Sequence, residues 1–376
     1  MAELTSEDSF RLNVLLAAKP LAIRIHEPSM TVFGLSDQGE AQIELHPNAR
    51  DEAYLRAVRE LLSSHVLGSP GGYPVYLQRW TRMGQMRDSS LDQLLLLGEP
   101  EAVVAVVCAQ GLTDELARRA WWACEDAENA RRMLERKAVV AGAMGSVLAQ
   151  YLNEHLAFET EPEAQVRTVR LILQDGLLDD DTRSDLWRKA QQKRVYQLGF
   201  LAARPDAMPH ADDARDDFAA LRDALLPAHA ENPVAQALLR VAGESGQAWI
   251  RTAEHILAKP SNQDVVNILL EVIADYFAAL RPDGAPDATL DDLEREADGL
   301  IAGNGACSPS AESWNAVAGA LPDQRPSLIA MRVLSGLSYG VVRPVFSKTT
   351  AIGTVMRKRL APIVERIDGH LQQLGA

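Results

Sequence analysis

From Asp51 onward the apolar residues return every three or four positions, and the pattern persists almost to the end of the chain. Tyr54, Leu55, Val58, Leu61 and Leu62 make the first such stripe, which stops near Gly68. A stripe with the 3.6-residue period has one face that must leave water, so each predicted helix needs another to cover it. Further helices are expected over residues 91–97, 100–109, 114–124, 126–134 and 138–156. Between Gln263 and Leu280 the polar Asp264, Asn267, Glu271 and Asp275 share one face. Val265, Val266, Leu269, Val272, Ile273, Tyr276 and Leu280 fill most of the rest, an arc wide enough to be buried against two neighbours.

Start signals punctuate the series. Thr160 with Glu163 reads as a capping box with Pro162 in the first turn. Asn232-Pro233 and Ser308-Pro309 each place a cap before a proline, and Ser261 and Thr289 are further candidate caps. Residues 21–45 differ from everything after them. "LAIRI", "MTVFGL" and "EAQIEL" are rich in strand formers and are separated by the turn stretches "HEPS" and "SDQGE". They predict a three-stranded antiparallel meander, preceded by a short helix over residues 7–18 and needing a helical partner for stability.

The expected fold is therefore mainly α. It is an irregular helical repeat or bundle of stacked, HEAT-like hairpins with a small N-terminal β-meander. No repeat of fixed period is present, so an array and a bundle both remain open. Only 5% of residues are aromatic, which favours helix over sheet. Breaks at residues 203–214 and 281–290 suggest four regions: 1–90, 91–204, 213–280 and 289–376.

The net charge of −14 is uneven. Residues 206–300 hold 19 acids against 7 bases, a net −12, whereas 301–376 hold 4 against 8, a net +4. No concentrated positive footprint of the kind a nucleic acid requires is evident, and nucleic-acid binding is the disfavoured reading. The basic tail, with Lys348, Arg357, Lys358, Arg359 and Arg366, is suited to answer the acidic block, within the chain or across a homo-oligomer. Cys108, Cys124 and Cys307 form no CxxC pair, which fits a reducing compartment. With no apolar run of spanning length and no signal-like start, a cytoplasmic location without membrane contact is expected.

No cofactor or metal is expected. The eight histidines show neither HExxH nor a Glu-x-x-His pair. "GLSYG" (336–340) matches GxSxG, but Leu328, Met331, Leu334 and Leu337 precede it at helical spacing, where a hydrolase requires a strand. The same residues read as GxxxG, with Gly336 and Gly340 admitting a close neighbour. In "ARRAWWACEDAENARRML" only one of Trp121 and Trp122 can face a helical core, and Arg118 is placed to stack on Trp122. No catalytic residue is expected.

Two features favour binding. In "HVLGSPGGYPVYLQRWTRMGQMRD" a Gly/Pro-rich turn leads into Tyr73, Tyr76, Arg79, Trp80, Arg82 and Arg87, with no acid from Val66 to Arg87. Tyrosine, tryptophan and arginine are the side chains enriched at interface hot spots. The competing reading is a structural clasp between the meander and the first long helix. Cys307, in "GNGACSPS" before a helix start, is the candidate reactive thiol, against the plainer reading of an inert loop cysteine.

"RLNVLLAAKPLAIRI", the stretch just quoted, "LLLLGEPEAVVAVV" and "DELARRAWWA" resemble the DsrS proteins. These are soluble proteins encoded beside the reverse-type dissimilatory sulfite reductase of sulfur-oxidising bacteria. The resemblance spans most of the chain and is strongest over residues 11–156. It implies a cytoplasmic accessory or regulatory role in the oxidation of stored sulfur, exercised on protein partners of that pathway. It brings no catalytic residues. A sulfur carrier or enzyme using Cys307 is the alternative, and a nucleic-acid-binding helical repeat a further one.

Overall fold

The computed structural model describes residues 3–68, 91–210, 212–281, 285–301, 309–348 and 352–375. Helices dominate them, with one small antiparallel sheet at the N-terminus. The chain divides into two compact units: residues 1–157 with 175–177, and residues 158–174 with 178–376.

In the first unit α1 (Ser6–Ala17) precedes the meander β1 (Ala22–His26), β2 (Thr31–Ser36) and β3 (Gly39–Glu44). The register pairs Ile25 with Val32 and Val32 with Ile43. Next come α2 (Asp51–Leu67), α3 (Leu91–Leu94), α4 (Pro100–Cys108) and α5 (Asp114–Ala123). They are followed by α6 (Ala127–Leu134), α7 (Lys137–Val140) and α8 (Ala143–His155). The predicted helical partner of the meander is real. Leu12, Leu15 and Leu16 of α1 share one core with Ile23, Val32 and Leu45 and with Tyr54, Leu55, Val58 and Leu62 of α2.

The stretch expected as one helix over 138–156 is broken at Gly142. The reason is a carboxylate from elsewhere in the chain. Asp114, the first residue of α5, accepts hydrogen bonds from the Ala143 and Met144 amides at 3.1 and 3.0 Å. It caps α8 from outside, and a Cβ at position 142 would collide with that carboxylate. The capping box at Thr160 also fails to form. Pro162 takes the first helical position, which moves the cap to Glu161.

The second unit contains α9 (Pro162–Ile172), α10 (Asp180–Ala190), α11 (Arg194–Ala203) and α12 (Phe218–His229). Then follow α13 (Pro233–Ala242), α14 (Glu244–Leu257) and α15 (Gln263–Tyr276). The series ends with α16 (Leu290–Ile301), α17 (Pro309–Ala320), α18 (Arg325–Leu334), α19 (Tyr339–Phe346) and α20 (Gly353–Gln372). Asn232 caps α13 as expected, accepting from the Val234 and Ala235 amides. Thr289 and Asp292 cap α16 reciprocally. The cap of α15 falls on Asn262, one residue beyond Ser261, because the amide oxygen of Asn262 reaches the Val265 N–H at 3.0 Å.

In an array, a helix pair touches only its neighbours. Here α13 packs on α17 and α18, and α14 packs on α20, so distant parts of the chain meet and the unit is a bundle. Of the basic tail, Arg366 answers the acidic block within the chain. Arg366 of α20 bonds to Asp291 and Glu294, His370 lies 3.3 Å from Glu294, and Arg357 donates to the Pro260 carbonyl. Among the described residues, no single helix is long and apolar enough to cross a membrane.

The first unit has a polar clasp of its own. Asp8 of α1 is wholly buried; its Oδ2 accepts from the Tyr54 hydroxyl at 2.6 Å and from the His46 amide at 2.8 Å. Burial alone would push the Asp8 carboxyl up, but these bonds outweigh it and hold the carboxyl below its ordinary value. A lowered carboxyl contributes stability above its unfolded pKa and loses it as pH falls through the folded one. Tyr54→Phe removes the shortest of these bonds and should cost about 1–3 kcal/mol. It should also start the acid unfolding of this unit at higher pH, as read by tryptophan fluorescence. An unchanged acid limb would count against the clasp.

Candidate functional site

Tyr73, Tyr76, Arg79, Trp80, Arg82, Arg87 and Cys307 lie outside the described residues. The other motifs singled out in the sequence are placed. Ser338 is the N-cap of α19, not a nucleophile on an elbow. Its hydroxyl donates to the Pro286 carbonyl at 2.7 Å and accepts from the Gly340 amide at 3.2 Å. Both flanking glycines sit against neighbours. A Cβ on Gly340 would stand 2.7 Å from the Asp287 carbonyl carbon and 2.9 Å from the Ala288 oxygen. A Cβ on Gly336 would meet the end of the Leu293 side chain and, at 3.2 Å, that of Arg281. The small-residue reading of GLSYG therefore describes this turn.

Trp121 is buried and meets Tyr151 edge-on at 4.7 Å, whereas Trp122 covers the sheet. The cation on Trp122 is Arg24 of β1, at 4.8 Å from the ring and equally from Phe33; Arg118 instead pairs with Glu115. The Trp122 N–H donates to Glu40 at 2.8 Å. The Cys124 thiol is pushed up by burial and by the Asp126 carboxylate, which makes it a poor nucleophile at neutral pH. Among the described residues no group of three or more His, Cys, Asp or Glu side chains is arranged to hold a metal ion.

What the bundle does assemble is an aromatic and guanidinium stack in the second unit. Tyr276, at the end of α15, lies parallel to Trp249 of α14, with centroids 4.1 Å apart and planes 17° apart. The Arg240 guanidinium of α13 lies 3.9 Å from the same centroid. Two groups that close to one centroid must occupy opposite faces, so the tyrosine is sandwiched. Arg240 is fixed by a two-pronged pair with Asp206, at 2.5 and 2.8 Å, and by a bond to the Tyr276 carbonyl at 3.0 Å. Burial would lower the Arg240 pKa, but the pair with Asp206 raises it, so the cation is permanent. The Tyr276 phenol is driven above its ordinary value, chiefly by burial, and remains a protonated donor. Its hydroxyl is buried and has no hydrogen-bond partner among the described residues.

Tyr276 and Arg240 form part of the wall of a cleft of about 210 Å³, completed by Arg170, Leu201, Ala202, Pro205, Val272 and Asp275. The sequence did not single it out. Tyr276 reads as one more residue of an apolar arc, Arg240 as a lone cation and Asp206 as part of a linker. Their contacts span 34 and 36 residues, which no local spacing encodes. A second, more polar cleft of about 350 Å³ is lined by Gln247, Ile250, Arg251, Glu254, Gln372 and Gly375. There Arg251 is paired with Asp212, and Gln372 with Asp368. The Glu254 carboxyl is raised by burial and by the nearby Asp368 charge.

No protein-family description, no curated protein and no solved structure matches this chain.

The glycine turn can be tested by its ranking. Gly340→Ala meets backbone and should cost about 2–3 kcal/mol, and Gly336→Ala less, because the Leu293 side chain can swing away. Ser338→Ala should lose only a cap, about 1 kcal/mol. Urea melts of the three variants give the order; equal tolerance at 336 and 340 would refute the close approach.

Proposed function

We propose that this is a non-enzymatic accessory protein that works by binding a protein partner, in the setting of dissimilatory sulfur oxidation. The setting is supported by the DsrS-like stretches, which contribute no reacting group. The observation that carries the non-catalytic half is the role of Ser338. The one hydrolase-like motif in the chain uses its serine to cap a helix and to bond the Pro286 carbonyl. The partner surface we favour is the acid-free segment with Tyr73, Tyr76, Arg79, Trp80, Arg82 and Arg87, on the strength of its composition. A nucleic-acid role is less favoured, because Arg366 of the basic tail is paired with Asp291 and Glu294 and Arg357 is held by the Pro260 carbonyl.

The decisive experiment uses purified soluble proteins of the sulfur-oxidation pathway, the reverse-type dissimilatory sulfite reductase among them. One of them should bind the wild-type chain. The triple variant Arg79→Ala, Trp80→Ala, Arg82→Ala should keep its circular dichroism and lose at least about tenfold in affinity, the equivalent of one hot-spot side chain. A variant that binds equally well overturns the surface; a wild-type chain that binds none of them overturns the reading.

A further inference from the structure

Two opposite charges line one cleft and do not meet. Arg170 is exposed on α9 and Asp275 is exposed on α15, and both belong to the wall of the 210 Å³ cleft. Neither side chain makes a hydrogen bond or an ion pair among the described residues. The second guanidinium of the cleft differs in this respect. Arg240 is saturated by Asp206 and by the Tyr276 carbonyl, so its charge is neutralised locally. The charges left to a ligand are one cation, Arg170, and one anion, Asp275. Leu201, Pro205 and Val272 supply apolar lining to the same cleft. Tyr276 and Arg240 complete the wall.

The volume restricts the occupant. Sites for drug-sized molecules begin near 300 Å³, so this one takes something smaller. A single anion would leave Asp275 unanswered, and a single cation would leave Arg170 so.

We propose that the cleft binds a small zwitterion with an apolar side chain, of the α-amino-acid class. The carboxylate lies on Arg170, whose guanidinium presents parallel N–H groups matched to it. The ammonium lies on Asp275, and the side chain lies against Leu201, Pro205 and Val272. None of the residues 73–87 contributes to this proposal, which stands or falls without the partner segment.

Calorimetry and thermal shift with the full-length chain test it, using leucine and methionine as probes. Leucinamide, which lacks the carboxylate, and N-acetylleucine, which lacks the ammonium, are the controls. At least one zwitterion should bind with a Kd of about 1 mM or tighter. Each control should bind at least about tenfold more weakly, since each loses one charge-assisted contact. Arg170→Ala and Asp275→Asn should each abolish the shift while leaving the melting temperature of the free protein unchanged, because both side chains are exposed. Failure of both zwitterions to bind at about 10 mM overturns the proposal. So does equal binding of the controls, or binding that survives both substitutions.

Discussion

A single carboxylate, Glu296, holds two cations inside the second unit, and the packing around it depends on that bond. Its partners are Arg281 and Arg332, whose side chains are 7% and 9% exposed. Two guanidinium groups so far from water would repel one another and lose their hydration, and the anion between them offsets both costs. Burial acts to raise the Glu296 carboxyl, but the two arginines outweigh it and hold it low, so it stays charged. Arg332 also donates to the Leu280 carbonyl. The triad thereby ties α16 and α18 to the short turn Ala278–Leu280 that follows α15. Its Arg281 approaches Gly336, so the charge network and the glycine turn form one contact region. A larger residue at 336 would press on the side chain that fills the pair with Glu296.

The same logic of remote polar groups closing local structure explains where the sequence was legible. The meander could be read because strand formers and turn residues alternate within 25 positions, and each signal is local. Asn232 could be read as a cap because its partners, Val234 and Ala235, are two and three residues away. The break at Gly142 could not, because the carboxylate that caps α8 comes from Asp114, 29 and 30 positions earlier. For Trp122 the sequence offered Arg118 one helical turn away, but Glu115 holds that arginine, and the cation comes from Arg24 on a strand. Local rules found the elements and failed where a side chain from another element intervened.

The cleft around Tyr276 is an extreme case of this. The residue falls on the apolar arc of α15 and is correctly core: it is 8% exposed and stacked on Trp249. What sequence could not show is that the opposite face of its ring is covered by a cation. Asp206 fixes that cation from a stretch that reads as linker, which makes the apparent linker part of a structural site. Asp275, one residue before it, belongs to the acidic strip that the helical period assigns to water. The boundary between core and solvent thus runs between two consecutive residues, and the cleft opens along it.

Charge pairing gives this boundary its meaning. Arg366, Arg332, Arg281, Arg240, Arg215 and Arg24 each meet a carboxylate. Those pairs join elements that are distant in sequence or fix the start of a helix, and their role is complete within the fold. Arg170 and Asp275 line one cleft and are outside that pattern. An exposed pair would contribute little to stability, on the order of 0–1 kcal/mol, so folding exerts little force to bring them together. Charges that folding leaves unpaired beside an apolar recess cost the fold little, and they are what a molecule carrying both signs would need there.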